Sequence, residues 1–146
     1  MSPDGLATIG PLVLEQFRRA GLEPDSVGGL TLGADPVSYA IAFASAQAGA
    51  PIRAFTVRKE AKAHGTGRLI EGPFQAGDQV VVVEDVITTG GSALKAVAAV
   101  RQAGATVIGL LAVVDREEGG RSVLAAENVP ILVLTTLTEL LASKRG

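Results

Sequence analysis

The feature that most constrains this chain is Gln79-Val-Val-Val-Val-Glu-Asp-Val-Ile-Thr-Thr-Gly-Gly-Ser92. The four consecutive valines, Val80 to Val83, form an apolar run too short for a helix and β-branched throughout. Such a run suits a strand buried on both faces, as in a parallel sheet. It ends in Glu84 and Asp85 and then in a loop of small residues. From Ser92 the spacing of Ala93, Leu94, Ala96, Val97 and Val100 predicts a helix, which Gly104 closes. A buried strand therefore feeds a Gly/Thr/Ser loop that opens a helix. The backbone N–H groups of such a loop, backed by the positive end of the helix dipole, form an anion site suited to a phosphate.

Two acids beside a phosphate cradle make sense when the ligand carries a sugar between its charges. Glu84 and Asp85 would accept hydrogen bonds from vicinal hydroxyls. The loop N–H groups and the hydroxyls of Thr88, Thr89 and Ser92 would hold a terminal phosphate. The ligand inferred from these residues is a ribose 5-phosphate unit; the bland alternative is a strand–helix turn with an acidic rim. Other phosphate motifs fit poorly. No Gly-x-Gly-x-x-Gly follows a strand, and Lys95 lies too far into the helix to act as a P-loop lysine.

With 146 residues the chain suits one domain with a sizeable core, packed by Ala, Val and Leu because only 3% of it is aromatic. Apolar runs alternate with helical spacings, so the expected architecture is α/β. Residues from about Asp4 to Ala20 read as an amphipathic helix that starts or kinks near Pro11. Strands are expected at Val27 to Leu32, Ile52 to Val57, Val80 to Val83, Val107 to Val114 and Ile131 to Leu134. Helices are expected at Tyr39 to Ala48, Ser92 to Ala103, Val123 to Glu127 and Leu137 to Ala142, with Gly33 to Ser38 a turn. In open α/β sheets ligands sit outside the carboxyl ends of the strands. The loops beginning at Gly33, Arg58, Glu84 and Asp115 all follow strands, so they are expected to meet on one edge.

A net charge of −2 gives no global reason to bind nucleic acid or an anionic membrane. Without cysteine there are no disulfides or thiolate metal sites, and the single His64 argues against a histidine metal cluster. The N-terminus lacks a signal-peptide pattern and the apolar runs fall short of a membrane span. A cytoplasmic protein is expected.

Residues 58–68, Arg-Lys-Glu-Ala-Lys-Ala-His-Gly-Thr-Gly-Arg, hold four of the thirteen Lys and Arg together with the only His. Gly65 and Gly67 add the backbone freedom of a closing lid. Cations folding over a pyrophosphate leaving group would stabilise its developing charge and exclude water. A solvated basic loop is the plainer alternative. Arg116 offers a planar fork suited to a carboxylate, or to pairing with Glu117, Glu118 or Glu127 at the surface.

Glu84-Asp85-Val86-Ile87-Thr88-Thr89-Gly90-Gly91-Ser92 resembles the phosphoribosyl-pyrophosphate signature of type I phosphoribosyltransferases. With Arg58-Lys59-x-x-Lys62-x-His64-Gly65, the chain is most similar to the orotate phosphoribosyltransferases. The resemblance implies a mainly parallel, twisted sheet with helices on both faces. It implies that all nine signature residues, with Arg58, Lys59, Lys62 and His64, contact phosphoribosyl pyrophosphate. Lys62, Arg58 and His64 would serve catalysis, Lys62 above all. Thr88 and Arg116 would contact orotate. Mg²⁺ would accompany the diphosphate, and a homodimer would share the residue 58–68 loop across its interface. In many relatives a lysine follows the first core strand where this chain has Val37, leaving the backbone and Ser38 to meet the diphosphate. Family members usually carry, ahead of the point where this chain opens, a segment that roofs the orotate; that segment is expected to be short or missing. Two other functions fit the same residues: a non-catalytic sensor of the donor, and a transferase for another base. Arg116 disfavours a purine, which has no carboxylate.

Overall fold

The computed structural model describes residues 1–61 and 67–145. Six strands form one sheet: β1 (Ser26–Leu30), β2 (Arg53–Val57), β3 (Ile70–Glu71), β4 (Gln79–Ile87), β5 (Thr106–Asp115) and β6 (Ile131–Thr136). Their order is β3-β2-β1-β4-β5-β6, and every neighbouring pair is parallel except β2 with β3. The helices are α1 (Pro3–Ala20), α2 (Ala34–Gln47), α3 (Gly91–Gln102), α4 (Gly120–Leu124) and α5 (Leu137–Ser143), with a 3₁₀ turn at Ala125–Glu127.

The valine run explains how the layers assemble. Successive strand residues point to opposite faces. Val80 and Val82 pack with Ala93, Ala96, Val97 and Val100 of α3, while Val81 and Val83 pack with Val13 and Phe17 of α1 and Val37 and Ile41 of α2. All four valines are at most 1% exposed, so the central strand is apolar on both sides with a helical layer on each. β5 follows the same alternation but changes phase once. Val107 and Leu110 both face α3's core, and the register slips opposite Val80 and Val81. One extra residue there forms a bulge, which hydrophobicity alone does not reveal.

The elements depart from expectation at three places. α1 runs unbroken through Pro11. The proline is exposed, and so is Ala7, whose carbonyl loses its i+4 donor, so water can take that bond. Ser2 caps the helix at Gly5 N–H, and Gly10 packs so close to Ala40 and Ala44 of α2 that α1 must stay helical there. Second, Gly33 to Ser38 is not a turn, because α2 already begins at Ala34. Asp35 and Pro36 sit in its first turn, where an acid faces the positive dipole end and a missing N–H costs nothing. Third, β4 continues through Glu84 and Asp85 to Ile87, with Glu84, Val86 and Ile87 paired to β5.

The edge of the sheet where the parallel strands begin is held by a buried carboxylate. Asp78, 5% exposed, accepts hydrogen bonds from Arg53 Nη2 at 2.7 Å, Ser26 Oγ at 3.0 Å and Gln75 N–H at 3.1 Å. Burial pushes the Asp78 carboxyl up, but the Arg53 guanidinium, Gln75 N–H and Ser26 hydroxyl together leave it below the usual carboxylate range. β1 reaches its neighbours only because it carries Gly28 and Gly29. A Cβ on Gly29 would stand 1.9 Å from the Val83 carbonyl oxygen and 2.8 Å from Ala34 Cβ.

Two measurements follow. Gly29→Ala should lower stability by about 1–3 kcal/mol or more in urea titration, since strand or helix backbone must shift to admit the methyl; an unchanged midpoint would mean β1 lies farther from β4. Because the folded pKa of Asp78 lies below its unfolded value, its contribution is present above the unfolded pKa and lost as pH falls through the folded one. Asp78→Asn should therefore destabilise near pH 7 and remove part of the loss of stability that wild type shows under acid.

Candidate active site

Because five of the six strands are parallel, β1, β2, β4, β5 and β6 all deliver their C-terminal ends to one edge. The turns after Leu30, Val57, Ile87 and Asp115 are neighbours there in the order β2, β1, β4, β5. The four loops expected to meet on one edge thus do so.

Alternation along β4 assigns the two acids different surroundings. Glu84 continues the Val80 and Val82 series toward α3, and it lines a cavity of about 260 Å³ with Thr88 to Ser92 and Lys95. Asp85 continues the Val81 and Val83 series toward α2. Its carboxylate packs against Gly33, where a Cβ would fall 2.7 Å from Cγ and both oxygens. Only glycine allows the start of α2 to approach that closely. Asp85 Oδ1 also accepts the Val86 N–H at 2.8 Å. Burial, reinforced by the hydrogen bond and the charge of Asp85, pushes the Glu84 carboxyl up to about 8.

The cradle beyond β4 is built from backbone. Ile87 is buried, Val86 and Thr88 are half-buried, and Thr89, Gly91 and Ser92 are exposed. Gly90 precedes α3 with φ +93°, a conformation other residues rarely adopt, and no side chain caps the helix. The first-turn N–H groups of α3 are therefore left for a ligand or water. The turn is braced from behind, where Gly120 N–H at the start of α4 donates to the Thr88 carbonyl at 3.1 Å.

Arg116 enters beside this cradle because its N–H donates to the Ile87 carbonyl at 3.0 Å. Its guanidinium rests on Glu118 at 3.2 Å, an ion pair with both side chains about half exposed. Such a pair contributes little and exchanges readily for another carboxylate. Buried Asp115 accepts the Glu117 N–H at 2.8 Å, and Glu117 accepts from Thr138 N–H and Oγ1 at 3.0 and 2.8 Å. The Thr138 donors hold the Glu117 carboxyl below its ordinary range and tie this loop to α5.

At the other end of the edge, Arg58 follows β2. Its N–H donates to the Leu69 carbonyl at 2.7 Å and its guanidinium pairs with Glu71 at 2.9 Å. β3, which no periodicity signals because it is two residues long, pairs back onto Thr56 and Val57. The basic loop thus hangs from a short antiparallel stem. Lys59 is exposed; Lys62 and His64 lie outside the described residues.

The diphosphate-side expectation for Ser38 is corrected. Ser38 is fully buried and donates to the Ala34 carbonyl at 2.9 Å, and Val37 is in the core, because α2 starts earlier than expected. Sequence reasoning also passed over Asp35. It is 8% exposed and accepts hydrogen bonds from Thr31 Oγ1 at 2.7 Å and Thr56 Oγ1 at 3.0 Å. The Asp-Pro pair, a helix-start signal, could have identified it as a first-turn acid.

Among the described residues no group of three acidic or histidine side chains is placed to hold a metal ion. Among them, too, no helix is long and apolar enough to cross a membrane.

Residues 34–128 match the phosphoribosyl transferase domain family, a span running from the first residue of α2 past α4. The chain is 53% identical over 139 residues to an orotate phosphoribosyltransferase of Aquifex aeolicus, covering 95% of this chain and 75% of that protein. A Corynebacterium glutamicum orotate phosphoribosyltransferase is 53% identical over 132 residues, covering 90% of this chain and 69% of that one. Among solved structures, Mycobacterium tuberculosis orotate phosphoribosyltransferase in complex with 5-phospho-α-D-ribosyl 1-diphosphate superposes with a TM-score of 0.81 at 46% identity, over 92% of this chain and 75% of that one. A phosphoribosyltransferase from Corynebacterium diphtheriae gives a TM-score of 0.85 at 45% identity, over 95% and 79%. With the parallel sheet and the β4–α3 cradle these likenesses agree, and the chain belongs to the orotate phosphoribosyltransferases of the phosphoribosyl transferase domain family.

Proposed function

We propose that the chain transfers ribose 5-phosphate from phosphoribosyl pyrophosphate to N1 of orotate, giving orotidine 5′-monophosphate and pyrophosphate in pyrimidine nucleotide synthesis. The observation that carries this reading is the strand-end arrangement itself. A buried β4 carries Glu84 and Asp85 near its end and leads through a three-residue turn into an uncapped α3, with a cavity beside the turn. In this reading residues 88–92 hold the 5′-phosphate, and Glu84 and Asp85 accept the ribose hydroxyls. Val86 and Ile87 supply backbone and the floor. Arg116 leaves Glu118 for the orotate carboxylate, and Thr88 meets the base. Arg58, Lys59, Lys62 and His64 close on the diphosphate.

The chemistry needs no side-chain nucleophile. N1 of orotate forms a bond to C1 of the ribose as the C1–O bond breaks, the electron pair leaving with the diphosphate and the N1 proton passing to diphosphate or water. Charge moves from the sugar to the leaving group, so cations over the diphosphate and acids beside the ribose stabilise the two ends oppositely. Glu84, Thr88, Thr89 and Ser92, which line the cavity, carry oxygen atoms of the kind a hard cation prefers, which fits Mg²⁺ arriving on the donor's own oxygens. Bound there, Mg²⁺ would neutralise the leaving diphosphate. We further read the chain as one cytoplasmic domain acting as a homodimer, with the residue 58–68 loop reaching the neighbouring site.

Pyrophosphate release in the presence of Mg²⁺ and donor should depend on orotate and fall at least about a hundredfold in Lys62→Ala. Donor binding by calorimetry without any release would instead indicate a sensor. Glu84 supplies a second test. If ribose hydroxyls and diphosphate-side cations favour its ionised form, the free protein holds a proton that the complex loses. Donor affinity should then rise with pH between about 7 and 8, by up to about tenfold per unit, and level off above 8. Glu84→Gln should flatten that slope, and an unchanged slope would remove Glu84 from the ribose site.

A further inference from the structure

Asp35 is a buried acid that the transfer chemistry above does not use, and with its two partners it joins three elements. Thr31 follows β1, Thr56 lies in β2, and Asp35 itself is in the first turn of α2. Both threonine hydroxyls donate to the one carboxylate, at 2.7 and 3.0 Å. The Thr56 hydrogen being used there, the Tyr39 hydroxyl donates to Thr56 Oγ1 at 3.2 Å, adding the next turn of α2. Thr31 N–H also donates to the Val57 carbonyl at 2.8 Å.

This network clamps the turn that carries Gly33, and Gly33 is the residue lying against the Asp85 carboxylate. It also fixes Thr56, two residues before Arg58. Among the described residues the partners of Asp35 are the two neutral threonine hydroxyls, and the positive end of α2 faces it from its own helix. The β1 and β2 ends lie on the opposite side of β4 from the β5 end, where Arg116 sits.

Resting on the proposed transferase reading, we propose that Asp35 is a positioning residue for the sugar–diphosphate half of the donor. Through Thr31 and Thr56 it holds the Gly33 turn against Asp85 and holds β2's exit toward Arg58. It does not touch substrate, and it acts on the donor end of the site without acting on the base end.

The test uses Asp35→Asn, Thr56→Val and Thr56→Ser in the full chain. Calorimetry with phosphoribosyl pyrophosphate and Mg²⁺ gives donor affinity, steady-state assays give KM for each substrate, and thermal melts confirm folding. Asp35→Asn and Thr56→Val should each weaken donor binding about tenfold, as expected for loss of one hydrogen bond to a charged group. The KM for orotate should move less than about twofold, Thr56→Ser should restore wild-type donor binding, and the double variant should be no worse than the poorer single one. If Asp35→Asn does not fold, the two Thr56 variants decide alone, since that half-buried side chain sits at a strand end. Unchanged donor affinity in folded variants, or equal losses for donor and orotate, would overturn the assignment while leaving the transferase reading intact. Failure of the wild type to bind donor would overturn both.

Discussion

The two-sided burial of β4 is the constraint from which the rest of this structure follows. A strand with no solvent face needs cover on each side, and here parallel neighbours linked by crossovers supply it as a helical layer on each face. Parallel neighbours send their ends to one edge. Val80 to Val83 therefore dictate that the turns bearing Gly33, Arg58, Thr88 and Arg116 be neighbours in space, although they are scattered along the chain. The same burial gives the edge its electrostatic character, because β4 carries two acids just beyond Val83 before it runs on to Ile87. Glu84 is only 8% exposed there, with Asp85 beside it, so two adjacent carboxyls cannot both ionise cheaply.

The two ends of the sheet resolve buried charge in contrasting ways. At the strand starts, Asp78 meets a guanidinium, a hydroxyl and a backbone N–H, and its charge is stabilised outright. At the strand ends, Glu84 and Asp85 form no salt bridge among the described residues; they lie against each other, and Asp85 also takes the Val86 N–H and the close face of Gly33. A carboxylate paired with a cation is a fastener, and two carboxyls crowded together without one favour a ligand that brings donors. This asymmetry locates the functional edge independently of any motif.

Most of the architecture was legible because it rests on short-range patterns. The valine run, the Gly90 turn and the spacing of α3 each carry their own signal, and the parallel arrangement follows from their sum. What stayed hidden depends on partners far away in sequence. The β5 bulge is a change of phase inside an all-apolar run, invisible until Val107 and Leu110 are seen to face the same core. β3 is two residues whose only reason to be extended is β2. The early start of α2 was masked by reading Gly-Ala-Asp-Pro as turn chemistry, when the same residues are equally good at opening a helix. That misreading propagated: it left Ser38 free to meet a diphosphate, whereas the helix turns its hydroxyl inward onto Ala34.

The same error concealed the role open to Asp35. In a turn, an aspartate ordinarily bonds its own neighbouring backbone; in the first turn of a helix laid across two strand ends, it can reach side chains from both. Thr31 and Thr56 are twenty-five positions apart, and nothing in either local sequence links them. Their meeting on one carboxylate requires β1 and β2 to be parallel and in register at their ends, as the Leu30–Val57 pairing makes them. The residues that bind a donor can be read from a motif, because the ligand imposes their chemistry. Those that hold the motif in place are chosen by the fold and become visible only once the sheet is built.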